Sequence, residues 1–517
     1  MKRGVFTVLS LCIASGVLLG QRTSEAASGM DLETTVTTLG LYPCPPCGPW
    51  DSKTAAHLMR RAGFSAPTEE LNQLVDMGFE AAVDTLLNYE QADDTAMEDG
   101  LKKKDYTLLR TSKNGKTILN NVAEIQRWWL YRMINSERQL LEKMTLFWHN
   151  HFATSVKTVK QVAPDGVSYM MAQNKLLRKH ALGNFRTMVE EITVDPAMLV
   201  WLDNRSNVKK SPNENWAREL VELFTMGEGN YTDQDVVAAA RAFTGWGLEN
   251  KTGQFIFRSS KHDYGQKTFL GVTGHLDGSD IIDIVFQQDV TAEFIARKAF
   301  EFFVYASPSE DIVVDLADVF RKNNYEIAPL MKAIFKHREF YSSKAYRGLI
   351  KSPAELVVGL YRELGLSNPK NLTGHMTKAG QELFAPPDVS GWTSGVGWLN
   401  TSTVMSRYNF LNSVATKRGK NSELAGYAVD FPIWLKAKGP RLPGYQVSEF
   451  DVVEIFLDSL LSGDISVDTR YVLEQYMTTS DQGKTVPWNP PNNKNFFDKK
   501  ARGALYLISV VPSYQLN

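Results

Sequence analysis

The sequence predicts a mainly α-helical protein, with one large multi-helix domain, a minor β-hairpin and a smaller C-terminal helical segment. Apolar residues recur at helical spacing along most of the chain, as in Glu69–Leu87 and Glu137–Phe152. Good strand-like alternation is confined to Gln254–Arg258, which is expected to pair with Lys267–Leu270 as the hairpin. No repeat of fixed period is present, so a solenoid is not predicted.

The first residues predict export through a signal peptide. Lys2 and Arg3 form a charged start, Val5–Leu19 an apolar run, and Ser24–Ala26 a small-residue cleavage pattern. The run is too short for a membrane span, and no later segment has the roughly eighteen apolar residues that a transmembrane helix needs. We therefore expect residues 1–26 to be removed, and the mature chain to reach the periplasm or the extracellular space without a transmembrane anchor.

Composition divides the mature chain into three parts. Residues 27–50 form a proline-rich arm, and residues 51–414 carry the strongest helical patterns and are expected to form the main domain. Residues 415–517 begin as a linker rich in Lys, Gly and Pro and end as a helical segment expected to pack on the main domain. The 57 Lys and Arg residues balance the 58 Asp and Glu residues. Nucleic acid is therefore not expected as a partner, because phosphate binding needs a basic excess.

Two cysteines, Cys44 and Cys47, lie in the proline-rich arm. An exported protein favours a local disulfide between them. A redox dithiol would need a strand before and a helix after the pair, whereas proline and glycine flank it here. A metal site would need two further ligands from elsewhere, and Gly48 stands where haem attachment requires a histidine.

The segment Ser211–Trp246 reads as a capped helix, a glycine turn and a second capped helix. On the first helix, Asn215, Glu219 and Glu222 share one face, because they lie at positions i, i+4 and i+7. The two glutamates could serve as carboxylate ligands of a metal or as an acid/base pair. Alternatively, the two glutamates have no chemical role, and the helix is an ordinary surface helix with an ion pair that includes Arg218.

Two local interactions are predicted in the same segment. Glu214 and Arg218 lie four residues apart and should form a salt bridge, with Ser211 as the helix cap. Thr232 and Asp235 match a capping box at the start of the second helix.

His149 and His151 lie two residues apart within an aromatic stretch. On a helix they point to opposite sides, so they can chelate one metal only if the helix has ended by Trp148. The alternatives are a structural role for one of them, or a role in binding a substrate.

Two later loops contain further candidates. His262 and Asp263 adjoin in a glycine-containing loop and serve either a site or an Asx-type turn. Asp388, Trp392 and Trp398 lie in a Gly/Pro-rich loop, where the tryptophans either stack on sugar rings or fill the core. A serine nucleophile elbow, a zincin helix and a dinucleotide-binding loop are all absent from the sequence.

Several ordered motifs resemble one uncharacterised bacterial family, catalogued as domain of unknown function 1800. They include Ala56–Phe64, Met144–Ser155, Pro212–Leu220, Lys351–Pro353 and Pro386–Trp392, and the resemblance extends over roughly residues 50–517. The resemblance implies a single long helical domain in an exported protein. It also implies a co-exported, sulfatase-like protein as a candidate partner, but it supplies no catalytic residues.

The sequence favours a hydrolase-like enzyme, dependent on a metal or on carboxylates, that acts on an extracellular polymer. The alternative is a non-catalytic envelope protein for binding or assembly, which works with a co-exported partner. The cofactor is unknown, and a divalent metal is the candidate. The catalytic candidates are His149, His151, Glu219, Glu222, His262 and Asp263, and the candidates for substrate binding are Asn215, Arg218, Asp388, Trp392 and Trp398.

We predict that the Cys44–Cys47 disulfide is dispensable for the core. The pair lies before the first helix, and a short loop gives little entropic stabilisation. Replacing both cysteines with serine should lower the free energy of unfolding by less than about 2 kcal/mol in thermal melts. A larger loss would show that the arm staples the fold.

Overall fold

A computed structural model describes residues 49–103, 121–163, 165–249, 252–369, 371–416, 448–487 and 494–517. The predicted signal peptide, both cysteines of the arm and most of the predicted linker lie outside these residues. Within the described ranges, no helix is both long enough and apolar enough to span a membrane.

The mainly α-helical prediction is confirmed. The first helices are α1 Ser52–Ala62, α2 Thr68–Met77, α3 Phe79–Leu87, α4 Thr95–Lys103, α5 Val122–Asn135, α6 Gln139–His151, α7 Val156–Val162, α8 Gly166–Lys179, α9 Phe185–Thr193 and α10 Pro196–Trp201. They are followed by α11 Asn215–Glu219, which continues as a π-helical turn over Leu220–Thr225, and by α12 Asp233–Ala242.

The second half of the chain is also helical. Its helices are α13 Gly278–Phe286, α14 Asp289–Phe303, α15 Glu310–Lys322, α16 Ile327–Lys336, α17 Pro353–Glu363, α18 Leu372–Lys378, α19 Thr401–Thr416, α20 Glu449–Leu461, α21 Val467–Thr478 and α22 Lys494–Val510. Short 3-10 turns cover Tyr89–Gln91, Asn204–Ser206, Ser259–Lys261, Arg338–Tyr341, Gly395–Trp398 and Pro512–Gln515.

The long apolar pattern Glu69–Leu87 is two helices rather than one. Gly78 separates α2 from α3 and has φ +83°, a left-handed conformation that favours glycine. The periodicity of the apolar residues continues across the break, so the pattern alone did not reveal it.

The predicted hairpin pairing is wrong. Strand β2 (Phe255–Phe257) pairs antiparallel with β1 (Trp246–Leu248), which precedes it. The segment expected as its partner forms β3 (Lys267–Phe269), which pairs with β4 (Val272–Gly274). Leu270 and Gly271 both have positive φ, the conformation of a two-residue hairpin turn, so β3 turns back on its own neighbour.

Helix α6 lies at the centre of the fold. Every residue from Gln139 to His149 is buried, and the helix contributes to two large apolar clusters. Leu140, Met144 and Phe147 belong to the cluster that includes α9 and α14, whereas Leu146 belongs to the cluster that includes α5 and α17. A helix that is buried on all sides is typical of the core of a large domain.

The polar residue Glu142 is fully buried in the middle of α6. Its carboxylate accepts hydrogen bonds from Arg132 Nε at 2.9 Å, Arg178 Nη2 at 2.8 Å and Trp129 Nε1 at 3.2 Å. Burial alone would raise the pKa of Glu142, but the two guanidinium groups outweigh it and lower the pKa. The carboxylate therefore joins α5, α6 and α8 as an ionised group.

The C-terminal helices share a core with the main helical body. Phe456 on α20 and Leu505 on α22 belong to the same apolar cluster as Trp129 on α5. The last residues run beside the segment before α17, where Lys351 N donates to Gln515 O at 2.9 Å and Asn517 N to Leu349 O at 2.8 Å.

We predict that Glu142→Ala lowers the free energy of unfolding by about 3–5 kcal/mol, because it leaves the buried Arg132 and the largely buried Arg178 without their shared carboxylate. Glu98→Ala is the matched control. Glu98 also binds Arg132, but its side chain is half exposed, so its loss should cost less than about 1 kcal/mol. Chemical denaturation of both variants measures the difference. Equal losses would contradict the central role of Glu142.

Candidate functional site

A small cleft of about 90 Å³ opens beside the C-terminal half of α6. Its walls come from α6, from Glu301 and Phe302 of α14, from the segment leading into α17, and from the loop Trp392–Trp398. The polar and aromatic side chains that line it include Asn150, Glu301, Glu355, Gln381, Trp392 and Trp398. The two tryptophans were predicted either to bind substrate or to fill the core; both are buried, with exposed fractions of 7% and 5%, and belong to the apolar cluster that includes α5 and α17. The other four residues were not predicted.

Asn150 positions the tryptophan loop. Its Oδ1 accepts a hydrogen bond from the backbone N–H of Trp392 at 2.7 Å. Gly391 has φ +92°, and a Cβ at that position would collide with Asn150 Oδ1. The residue between the two predicted histidines therefore fixes the loop that closes one side of the cleft.

Glu355 is a largely buried carboxylate of the cleft, and both of its oxygens are engaged. Oε1 accepts from the Nζ of the buried Lys143, and Oε2 accepts from the N–H of Ser352 at 2.6 Å. Burial alone would raise the pKa of Glu355, but the charge of Lys143 and these hydrogen bonds lower it. Glu355 is thus held ionised.

Glu301 occupies a different environment from Glu355. It is half-buried, and its Oε1 accepts one hydrogen bond, from the N–H of Ser307 at 3.2 Å. Gln381 fixes a further part of the wall, since its Oε1 accepts from the N–H of Ala354 at 2.8 Å. The cleft therefore combines a fixed anion with a less constrained carboxylate.

His149 lies behind the cleft, against the ring of Trp392 at a centroid distance of 5.6 Å. Trp129 and Phe384 also pack on the imidazole, at 5.2 and 5.4 Å. Neither ring nitrogen forms a hydrogen bond with the described residues. Burial lowers the pKa of His149 to about 3, so the imidazole is neutral.

His151 faces a different part of the core. Its Nε2 lies 3.0 Å from the carbonyl oxygen of Phe224, and Phe152 packs on its ring at 4.5 Å. Burial, and after it the charge of Lys298, lower its pKa well below the usual value. Because α6 runs through His151, the two histidines do not have the extended geometry that chelation of one metal would need.

Glu219 and Glu222 are close enough to influence each other. Burial, and then the charge of Glu222, raise the pKa of Glu219. Glu222 Oε2 accepts a hydrogen bond from the hydroxyl of Tyr231. Burial, and then this bond, raise the pKa of Tyr231 to about 12. The segment that contains Glu219 and Glu222 contacts His151 through the main-chain carbonyl of Phe224, rather than through the two carboxylates.

The other residues on this segment serve the helix ends. Arg218 pairs with Glu214 at 3.2 Å, as predicted, and with Asp233 at 3.3 Å, while Asn215 is exposed. The predicted Thr232–Asp235 capping box is present. The N-cap of α11 is Glu214 rather than Ser211, and Asn213 Oδ1 accepts from the N–H of Asn215.

The remaining candidates make local contacts. His262 Nδ1 lies 2.8 Å from the carbonyl oxygen of Thr244, and Asp263 binds Arg241 Nε at 2.7 Å. Asp388 is exposed and accepts from the N–H of Ser390 at 2.9 Å. Across the described ranges, no group of three or more His, Cys, Asp and Glu side chains is arranged to hold a metal ion.

The important cleft residues gave only indirect sequence signals. Ser352 and Glu355 match a capping box, which the structure contains at the start of α17. That pattern explains the position of Glu355 but not its contact with Lys143, which is 212 positions away. Glu301 lies on an amphipathic helix with no distinctive motif.

Comparison with known proteins identifies a family but no activity. A family model described as a protein of unknown function, DUF1800, matches residues 57–516. No curated protein and no solved structure matches the chain.

We predict that His149 contributes to acid sensitivity. Its folded pKa of about 3 lies below the unfolded value of about 6.5. The unfolded state therefore binds more protons between these values, and stability rises with pH over that window. His149→Gln should reduce the slope by up to about 1.4 kcal/mol per pH unit.

Denaturation of the wild type and the variant at a series of pH values from 4 to 7 measures this slope. His275→Gln is the control, because His275 is exposed directly after β4. Should both substitutions leave the slope unchanged, His149 would not titrate differently in the folded and unfolded chains.

Proposed function

The chain belongs to the DUF1800 family, and we propose that it is a carboxylate-dependent, hydrolase-like protein that binds an extracellular glycan in the cleft beside α6. The observation that carries this proposal is the lining of the cleft. Two tryptophans, two glutamates and the side-chain amides of Asn150 and Gln381 meet around one opening. Export, as expected from the first residues, would bring the cleft to such polymers.

The lining suits a sugar polymer for chemical reasons. Binding clefts combine apolar walls with a few polar groups that fix orientation, and sugars present both hydroxyl groups and apolar ring faces. The side-chain amides of Asn150 and Gln381 and the carboxylate of Glu301 are the polar groups of this kind on the lining.

The two carboxylates suit different roles. Glu355, which is held ionised by Lys143, is a fixed negative charge that would stabilise positive charge developing on the substrate. Glu301 has weaker constraints and would exchange a proton with the leaving group or with water. Glycoside hydrolysis commonly uses two carboxyl groups whose environments separate their roles in this way.

We predict that Glu301→Gln lowers hydrolysis at least about 100-fold, because it removes a proton-transferring group. Binding of the same sugar should change less than threefold, since the amide keeps the shape of the side chain. Glu293→Gln, on the same helix α14 but outside the cleft lining, is the control and should keep full activity. Release of reducing ends from chitin, uronate and peptidoglycan oligosaccharides measures hydrolysis, and calorimetry measures binding.

The experiment also separates the alternative function. Trp398→Ala should weaken binding of any sugar that the wild type binds. Binding without release of reducing ends would favour the non-catalytic envelope protein with a co-exported, sulfatase-like partner. If the wild type binds none of these sugars, the cleft is not a glycan site.

A further inference from the structure

A row of exposed aromatic side chains lies on and beside the β1–β2 hairpin. The exposed fraction is 36% for Phe255, 44% for Phe257 and 60% for Tyr264. Single exposed apolar residues are ordinary, but contiguous ones mark interaction surfaces. The question is therefore whether the three rings are contiguous.

Ring contacts and one cross-strand pairing connect the three through two inner residues. Phe255 packs on Trp246 at a centroid distance of 5.2 Å, and Trp246 is the cross-strand partner of Phe257. Phe257 packs on His262 at 5.3 Å, and His262 packs on Tyr264 at 4.6 Å. His262 is buried, with its Nδ1 at the carbonyl oxygen of Thr244. The inner residues thus form a rigid base that keeps the outer rings at the surface.

Three exposed lysines border this row. Val208 and Ser211 form a bridge that closes a tight turn, with Lys209 and Lys210 at its tip. The N–H of Lys209 donates to the carbonyl oxygen of Lys261 at 2.8 Å, which joins the turn to the residue before His262. We call the surface formed by Phe255, Phe257, Tyr264, Lys209, Lys210 and Lys261 the aromatic–lysine face.

The face carries an excess of positive charge. None of the three lysines forms an ion pair with another residue that the structure describes. Asp203 is paired with Arg205 at 3.2 Å, and Asp263 with Arg241 at 2.7 Å. These two carboxylates are therefore already matched by arginines. Glu249, at the β1–β2 turn, accepts a hydrogen bond from the hydroxyl of Thr252, and the three lysines outnumber it.

We propose that the aromatic–lysine face docks the protein on an anionic lipid surface. Exposed aromatic rings insert at the boundary between headgroups and acyl chains, and nearby lysines are attracted by anionic headgroups. A sugar chain fits less well, because phenylalanine rings bring no hydrogen-bonding group. A second copy of the face would bring like charges together. The proposal does not depend on the function of the cleft, because the two surfaces share no residue.

Flotation of the purified full-length mature chain with vesicles tests the proposal. The wild type should bind vesicles of phosphatidylcholine and phosphatidylglycerol in a 3:1 ratio at least tenfold more tightly than phosphatidylcholine alone. Binding should weaken as NaCl rises from 0.05 to 0.5 M. The triple variant F255S/F257S/Y264S and the triple variant K209E/K210E/K261E should each lose at least tenfold in affinity.

A matched control lies on α21, where Val467, Tyr471 and Val472 are exposed by 80%, 60% and 62%. The variant V467S/Y471S/V472S removes as many exposed apolar side chains without touching the face, and it should bind as the wild type does. Circular dichroism checks that each variant is folded.

The proposal would be overturned by equal binding of the wild type to both kinds of vesicle, by unchanged binding of both face variants, or by self-association of the wild type that the face variants abolish. Binding to a soluble acidic polysaccharide in place of vesicles would also overturn it and assign the face to a glycan.

Discussion

Two adjacent buried charges on α6, Glu142 and Lys143, hold the fold together. Neighbouring residues on a helix point in different directions, so the two groups bind different partners. Glu142 binds arginines on α5 and α8, whereas Lys143 binds Glu355 on α17 and the carbonyl oxygen of Gly63 just after α1. Each charge is expensive to bury without its partners. The helices α1, α5, α8 and α17 must therefore keep fixed positions relative to α6.

The need to neutralise the buried Lys143 also determines the charge of one wall of the cleft. Glu355 must be ionised to neutralise Lys143, and it also lines the opening. The charge state of one wall is therefore set by the packing of the core. Glu301, by contrast, accepts a hydrogen bond from the N–H of Ser307 and has the charge of Lys298 nearby. The ion-paired Glu355 and the less constrained Glu301 thus line the same cleft.

Local signals predicted the helices and their caps well, because capping boxes and surface pairs act within four residues. The Thr232–Asp235 box and the Glu214–Arg218 pair are examples. The pairing of β2 failed because its choice of partner depends on turn geometry on both sides. In the candidate site, the tryptophans were predicted from composition. The role of Glu355 was not, because its partner Lys143 is distant in sequence.

The two predicted histidines show how a buried helix changes the meaning of a motif. His149 and His151 were considered as ligands of one metal, but consecutive residues of a helix, including Asn150 between them, point in different directions. The histidines enter two aromatic clusters, and Asn150 reaches the tryptophan loop. Which of the three emerges at the cleft depends on the rotation of α6 about its axis. That rotation is fixed by Glu142 and Lys143 two turns earlier, because turning the helix would separate both charges from their partners.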